Sequence, residues 1–225
     1  MKKIIYSFAL SLVMAFVSQV NAGTIYQGDC STSDVTFGVL GVTPGDADDC
    51  FGPIANANTD VSYFNDEFGD GWGELIKLEI EGSHNSYSQT GEFQGISFVL
   101  SGNKGSDSDW KDGGWSLSWS GDSLPATIDF AIGLKAGYAF SGYLFDDVYL
   151  TEENSPGMGD WEISFEHCRT KSDGHTHTHT CGCKTNDLSH FSLYVKDMVS
   201  VPAPGALALM GLGLLGLVAA RRRKV

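Results

Sequence analysis

Apolar and polar residues alternate along much of this chain with a period of two. Ile76, Leu78 and Ile80 fall on one side and Lys77, Glu79 and Glu81 on the other, which predicts a strand over Leu75–Glu81. Trp115, Leu117 and Trp119 alternate with Ser116, Ser118 and Ser120 in the same way. Thr127–Leu134 places Ile128, Phe130, Ile132 and Leu134 on one face. Tyr138–Phe145 follows after Lys135-Ala136-Gly137, which is expected to form a hairpin connection. Trp161–Glu166 turns Trp161, Ile163 and Phe165 inward, and Ser189–Val195 turns Phe191, Leu193 and Val195 inward with His190, Ser192 and Tyr194 opposite. Val35–Leu40 and Gly95–Leu100 bring the set to roughly eight or nine strands. Gly41–Asn58 and Gly102–Gly114 read as loops, and Lys196–Ser200 as a short tether. Helical periodicity is nearly absent. The expectation is all-β: a single-domain β-sandwich or jelly-roll-like body.

The two ends depart from this pattern. Lys2 and Lys3 precede the apolar run Ile4–Val17, and Val20-Asn21-Ala22 offers the small residues of a cleavage site. Residues 1–22 are expected to be a signal peptide cut by signal peptidase between Ala22 and Gly23. At the other end, Val201-Pro202-Ala203-Pro204 leads into the apolar run Gly205–Ala220, which stops at Arg221, Arg222, Arg223 and Lys224. As a helix that run spans about 24 Å, short against a hydrocarbon core of about 30 Å. The basic cluster orients such a transmembrane helix with residues 23–200 outside the cytoplasm. A short span rich in Gly and Ala suits transient anchoring in a membrane.

Charge narrows the partners. All 28 acidic residues lie between Gly23 and Ser200. Only eight of the 14 Lys and Arg do, so this body carries a formal charge of −20. Such a surface repels nucleic acid and anionic lipid. At 178 residues it suffices for one domain with a proper core.

Five cysteines in an exported chain predict disulfides with one sulfur left over. Cys30 is expected to pair with Cys50, and Cys168 with Cys181 or Cys183. His175, His177 and His179 alternate with Thr, and Cys181 and Cys183 follow. In an extended segment the three imidazoles share a face, a donor set suited to zinc or copper with Cys181 or Cys183 as a further ligand. A polar loop closed by a disulfide is the alternative. Two acidic loops, Asn65–Gly71 and Asp107–Gly113, supply oxygen donors suited to calcium, although Phe68 and Lys111 break the EF-hand spacing. Plain Asp-Gly turns explain them more simply. Trp115 and Trp119 share a face able to stack on sugar rings, though an inward face is the default for strand Trp. Ser189 and His190 are strand neighbours, expected to point to opposite faces and so to make no catalytic pair. No nucleophile elbow, P-loop, dinucleotide fingerprint or zinc-protease motif occurs. A non-enzymatic protein is therefore expected, with a polysaccharide-active hydrolase or lyase as an alternative lacking an identifiable site.

The C-terminal segment VPAPGALALMGLGLLGLVAARRRKV resembles the PEP-CTERM sorting signal of Gram-negative bacteria. Pro202 and Pro204 match its two prolines, and Ala203 stands where the family usually has Glu. The resemblance implies processing near Pro202–Pro204 by an inner-membrane exosortase that uses a thiolate nucleophile, with the body periplasmic until release to the cell surface or extracellular space. It also implies production alongside exopolysaccharide. Asp49–Pro53 with Asn56 and Asn58, the hairpin Phe130–Phe145 and the segment Leu188–Tyr194 more loosely resemble recurrent parts of such exported bodies, which have no assigned activity. On these grounds residues 23–200 are expected to form a surface or extracellular-matrix protein associated with exopolysaccharide. A carbohydrate-binding module and a His/Cys metal-binding protein are the alternatives.

Overall fold

The computed structural model describes residues 24–200 apart from 82–83, 106–108 and 173–177; for 24–27, 169–172, 178–181 and 197–200 it describes the backbone alone. The expected leader (1–22) and the expected tail (201–225, with its apolar run 205–220) lie outside the described residues. Among those described, no helix is long and apolar enough to cross a membrane.

The described residues are all-β apart from one α-helix and one short 3-10 turn. In order, the strands are β1 (Thr24–Gln27), β2 (Thr36–Phe37), β3 (Gly45–Asp46), β4 (Asp49–Ala55), β5 (Gly73–Glu79), β6 (Ser86–Phe93), β7 (Ile96–Lys104), β8 (Asp112–Ser120), β9 (Ala126–Ala136), β10 (Ala139–Leu150), β11 (Gly157–Glu162), β12 (Glu166–Ser172), β13 (Thr178–Lys184) and β14 (Leu188–Ser200). The helix α1 (Val61–Phe68) lies between β4 and β5. A five-stranded sheet runs β4-β10-β9-β14-β5, and a four-stranded sheet runs β11-β8-β7-β6. Smaller sheets join β1-β12-β13 and β2-β3. All strand pairs are antiparallel.

The two large sheets share one hydrophobic core. Trp115 of β8 meets Phe130 of β9 and Phe191 of β14, with ring centroids 6.3 and 5.6 Å apart. Trp161 of β11 also meets Phe191, and Phe37 of β2 stacks on Trp115 at 5.1 Å. The alternation in β7 and β8 buries one face and leaves Ser97, Ser101 and Asn103 of β7 and Ser116, Ser118 and Ser120 of β8 toward solvent, as a half-buried antiparallel sheet does.

The five-stranded sheet is covered on its other face too. α1 lies there, and Phe64 stacks on Tyr194 with centroids 3.8 Å apart. Phe51, Phe140, Ala131 and Trp72 complete this second cluster. The side chain of Asp60 accepts from Ser62 N at 2.8 Å and caps the helix. Gly69, at φ 81°, ends it in a conformation favourable to glycine. This double coverage explains why Ser192 and Tyr194 are buried although they face away from Phe191, Leu193 and Val195.

The structure revises the sequence expectation in several places. Strand β4 and the short β3 occupy the stretch expected to be a loop, because β4 borders β10. The proposed strand Val35–Leu40 shrinks to β2. Ile163 and Phe165 are buried as expected, yet residues 163–165 connect β11 to β12 outside any strand. Lys196–Ser200 is no tether: it extends β14, pairing with Asp129–Ala126 of β9.

Candidate functional site

Trp115 and Trp119 are each 3% exposed. Their Nε1 groups donate to the carbonyls of Thr36 at 3.0 Å and Thr151 at 2.7 Å. Both polar handles are thus satisfied inside the protein, and both ring faces are packed. The proposed sugar-stacking role does not hold for these two residues.

The cysteines form Cys30–Cys50 and Cys168–Cys183, with Cα separations of 6.1 and 4.1 Å. Cys168 and Cys183 sit directly opposite each other on β12 and β13. Cys181, the other partner open to Cys168, stands two positions earlier on β13. With its sulfur in a disulfide, Cys183 offers no thiolate to a metal, which removes it from the expected donor set. His175 and His177 lie outside the described residues. The backbone of His179 pairs with Lys171, and the side chains of His179 and Cys181 are not among those described.

Among the described residues, neither acidic loop brings three carboxylates within 4.8 Å of one another. In Asn65–Gly71, Asn65 Oδ1 accepts from Trp72 N at 3.0 Å and serves the turn after α1. In Asp107–Gly113, Asp107 lies outside the described residues, and Asp109 pairs with Lys111 at 2.8 Å. The carboxylates that do converge are Asp129, Asp146 and Asp147, whose oxygens lie within 4.8 Å of one another. A bulge in β10 between Phe145 and Val148 brings them together. Asp147 N donates to Asp129 Oδ1 at 3.0 Å. The hydrogen bond with Asp129, then burial, holds the Asp146 carboxyl above its usual range. Such a cluster can share a proton or accept a cation. The signal available in sequence was the pair Asp146-Asp147 interrupting an otherwise apolar strand.

Ser189 and His190 do not diverge as expected. A register shift between Leu188 and His190 breaks the regular pleat, and Ser189 Oγ lies 3.1 Å from His190 Nδ1. His190 Nε2 contacts the Glu79 carboxylate. Serine, imidazole and carboxylate are therefore in series. However, Ser189 Oγ also donates to the Lys135 carbonyl at 3.1 Å. That bond commits the hydroxyl proton to the backbone, away from the imidazole that a nucleophilic serine needs as its base.

A trough runs over the solvent-facing side of β8 and β11. Its centre is an open cleft of about 340 Å³, lined among others by Asp112, Gly113, Gly114, Asp160, Trp161 and Glu162. A hollow of about 360 Å³ with Asn103, Ser116 and Met158 shares Gly114 and Asp160 with it. A smaller one of about 210 Å³ with Asp109 and Lys111 shares Asp112 and Glu162. Cross-strand register makes this one continuous face: Glu162 stands opposite Asp112, and Asp160 opposite Gly114.

Comparison with curated proteins and with solved structures gives no match for the chain. Residues 200–224 match the family model of the PEP-CTERM protein-sorting motif. The match begins at Ser200, the last residue of β14. The chain therefore carries a PEP-CTERM sorting signal at its C-terminus, the mark of an exported protein sorted by an exosortase-type enzyme.

Proposed function

We propose that this protein is a non-enzymatic surface or extracellular-matrix component associated with exopolysaccharide, delivered by its sorting signal. The match over residues 200–224 is the observation that carries this reading. In the proposed route, residues 1–22 direct export and are removed, and residues 23–200 fold on the periplasmic side. The span 205–220 holds the protein at the inner membrane of a Gram-negative cell until an exosortase cuts near Pro202–Pro204. The ring contacts between the two large sheets support reading residues 23–200 as a β-sandwich.

Geometry adds a constraint to that route. β14 is hydrogen-bonded to β9 as far as Ser200, so the Pro-Ala-Pro segment begins two residues beyond the sheet. The processing enzyme must work within a few residues of folded protein. Intact-mass spectrometry of the secreted form tests the route: a C-terminus before Gly205 is expected, and a chain still ending at Val225 would overturn it. Incubation with the host's own polysaccharide tests the non-enzymatic assignment, since release of soluble fragments would refute it.

A further inference from the structure

Ser200, the last residue of β14, pairs with Ala126 at the start of β9, and Ala126 pairs with Leu150 at the end of β10. The connections 121–125 (β8 to β9) and 151–156 (β10 to β11) therefore lie at the end of the body where the sorting signal leaves it. Between them is an open hollow of about 570 Å³, lined among others by Asp122, Leu124, Pro125, Tyr149, Glu152 and Glu153. Tyr149 stands opposite Thr127, which stands opposite Val199. The hollow is thus two strand spacings, about 10 Å, from the last residues of β14.

Its lining is both apolar and acidic. Tyr149 is 49% exposed, and Leu124 and Pro125 are half-buried in the same hollow. Asp122, Glu152 and Glu153 are exposed, and among the described residues none of them has an ion-pair partner. Asp129, Asp146 and Asp147 lie farther along β9 and β10. Lys196, opposite Asp129, is already engaged by the Phe68 carbonyl at 3.1 Å and the Trp72 ring at 5.6 Å. Acidic residues alone would mean only solubility; their position supplies a partner. Four residues reach at most about 14 Å, so the bond to be cut before Gly205 lies no farther than that from Ser200. The hollow begins at Pro125, next to the residue paired with Ser200. An enzyme whose cleavage centre reaches that bond therefore lies against this end of the body. These carboxylates repel an anionic lipid surface and attract a basic protein face. An Arg guanidinium suits both parts of the lining, since it pairs with carboxylates and stacks on an exposed aromatic ring.

We infer that the hollow between the 121–125 and 151–156 connections is a docking surface for the exosortase-type enzyme, which meets it with a basic face. This rests on the processing route proposed above and adds to the linear signal a second recognition element carried by the folded body. Asp122, Glu152 and Glu153 pair with Arg or Lys of the enzyme, and Tyr149 packs against the same side chains. Charge attraction at this surface speeds delivery of the Pro202–Pro204 segment to the cleavage centre.

The test follows the full chain in its host by pulse labelling and intact-mass spectrometry, comparing the precursor ending at Val225 with the cut form. Asp122→Lys, Glu152→Lys and Glu153→Lys together reverse the charge of the hollow. Asp160→Lys, Glu162→Lys and Glu166→Lys make the same change in net charge away from it, on β11 and β12. The first set is expected to slow cutting about tenfold or more, and the second to leave it unchanged. Protease resistance of the precursor reports folding. Should the first set fold poorly, Asp122→Asn with Glu152→Gln and Glu153→Gln, and separately Tyr149→Ser, carry the test, each slowing cutting to a smaller degree. Cutting at the unmodified rate in folded variants of the hollow would overturn the docking surface while leaving the processing route standing. Equal slowing by the two Lys sets would overturn it as well, since net charge then suffices. An unmodified chain that is never cut would sink the route and the docking surface together.

Discussion

His190 shows how several charges set the behaviour of one residue. Burial first, then the positive charges of Lys77 and Lys135, push its imidazole below the ordinary value of 6.5, and the Glu79 carboxylate only partly offsets them. Glu79 itself is raised by burial, but Lys77 and His190 together hold it below its ordinary 4.5. Both shifts act in the same direction on stability. The folded state takes up a proton on His190 less readily than the unfolded chain, so stability is lost as pH falls below 6.5. The Glu79 contribution is present above 4.5 and is lost as pH falls through its folded value. Asp146 has the opposite sign: its raised carboxyl favours the folded state in acid, a contribution lost as pH rises through the folded value. Urea midpoints are expected to drop between about pH 7.5 and about pH 5.5, and His190→Gln to flatten that drop. An unchanged pH profile in the variant would place the titration elsewhere. At the same scale, buried Asp34 accepts from Tyr143 Oη at 3.0 Å, Ser164 Oγ at 2.6 Å and Ser31 N at 2.8 Å. Tyr143→Phe removes a hydrogen bond to a charged acceptor and is expected to cost about 1.5–3 kcal/mol by chemical denaturation.

Among the elements, α1 and β14 explain each other. The helix is eight residues long, too short to be stable alone. It persists because Phe64 covers Tyr194 of the strand beneath. Phe64→Ala is expected to destabilise by about 3–5 kcal/mol, and Asp60→Ala, which removes the cap, by about 1 kcal/mol. Equal effects of the two would contradict packing as the main support of the helix. The segment Val61–Phe68 was hard to read because its apolar residues at 61, 64 and 68 follow a helical spacing for barely two turns. β4 was hidden for a different reason. Its Gly, Pro and Asp content describes a loop locally, and only pairing with β10 makes it a strand. By contrast β5, β8, β9, β10 and the centre of β14 were legible, since each carries a regular alternation matching one buried face.

For the whole molecule, the core between the two sheets is the main source of stability. Trp115 touches Phe37, Phe130, Phe145 and Phe191. Trp115→Ala is expected to cost about 3–5 kcal/mol. Any loss of saccharide binding in that variant should track unfolding, because the ring faces the core; a fully folded variant with lost binding would contradict this. Among the described residues, the disulfides close loops with sequence separations of 20 and 15. Removing Cys30–Cys50 by a double Ser substitution is expected to cost about 2–4 kcal/mol, read from the denaturation midpoint.

The sequence by itself determined the all-β class, the acidic body and the C-terminal sorting signal. These depend on composition, on a period of two and on a motif of consecutive residues. Tertiary structure decided which surfaces are available. It turned Trp115 and Trp119 into core, drew Asp129 to Asp146 and Asp147, and brought Ser189 to His190. It also carried β14 up to the edge of the sorting motif. The trough has the same origin: Asp112 and Glu162 are 50 positions apart in the chain and become neighbours only through the β8–β11 register. Periodicity shows that a strand has two faces. Strand order and packing decide which face meets solvent, and which distant residues share it.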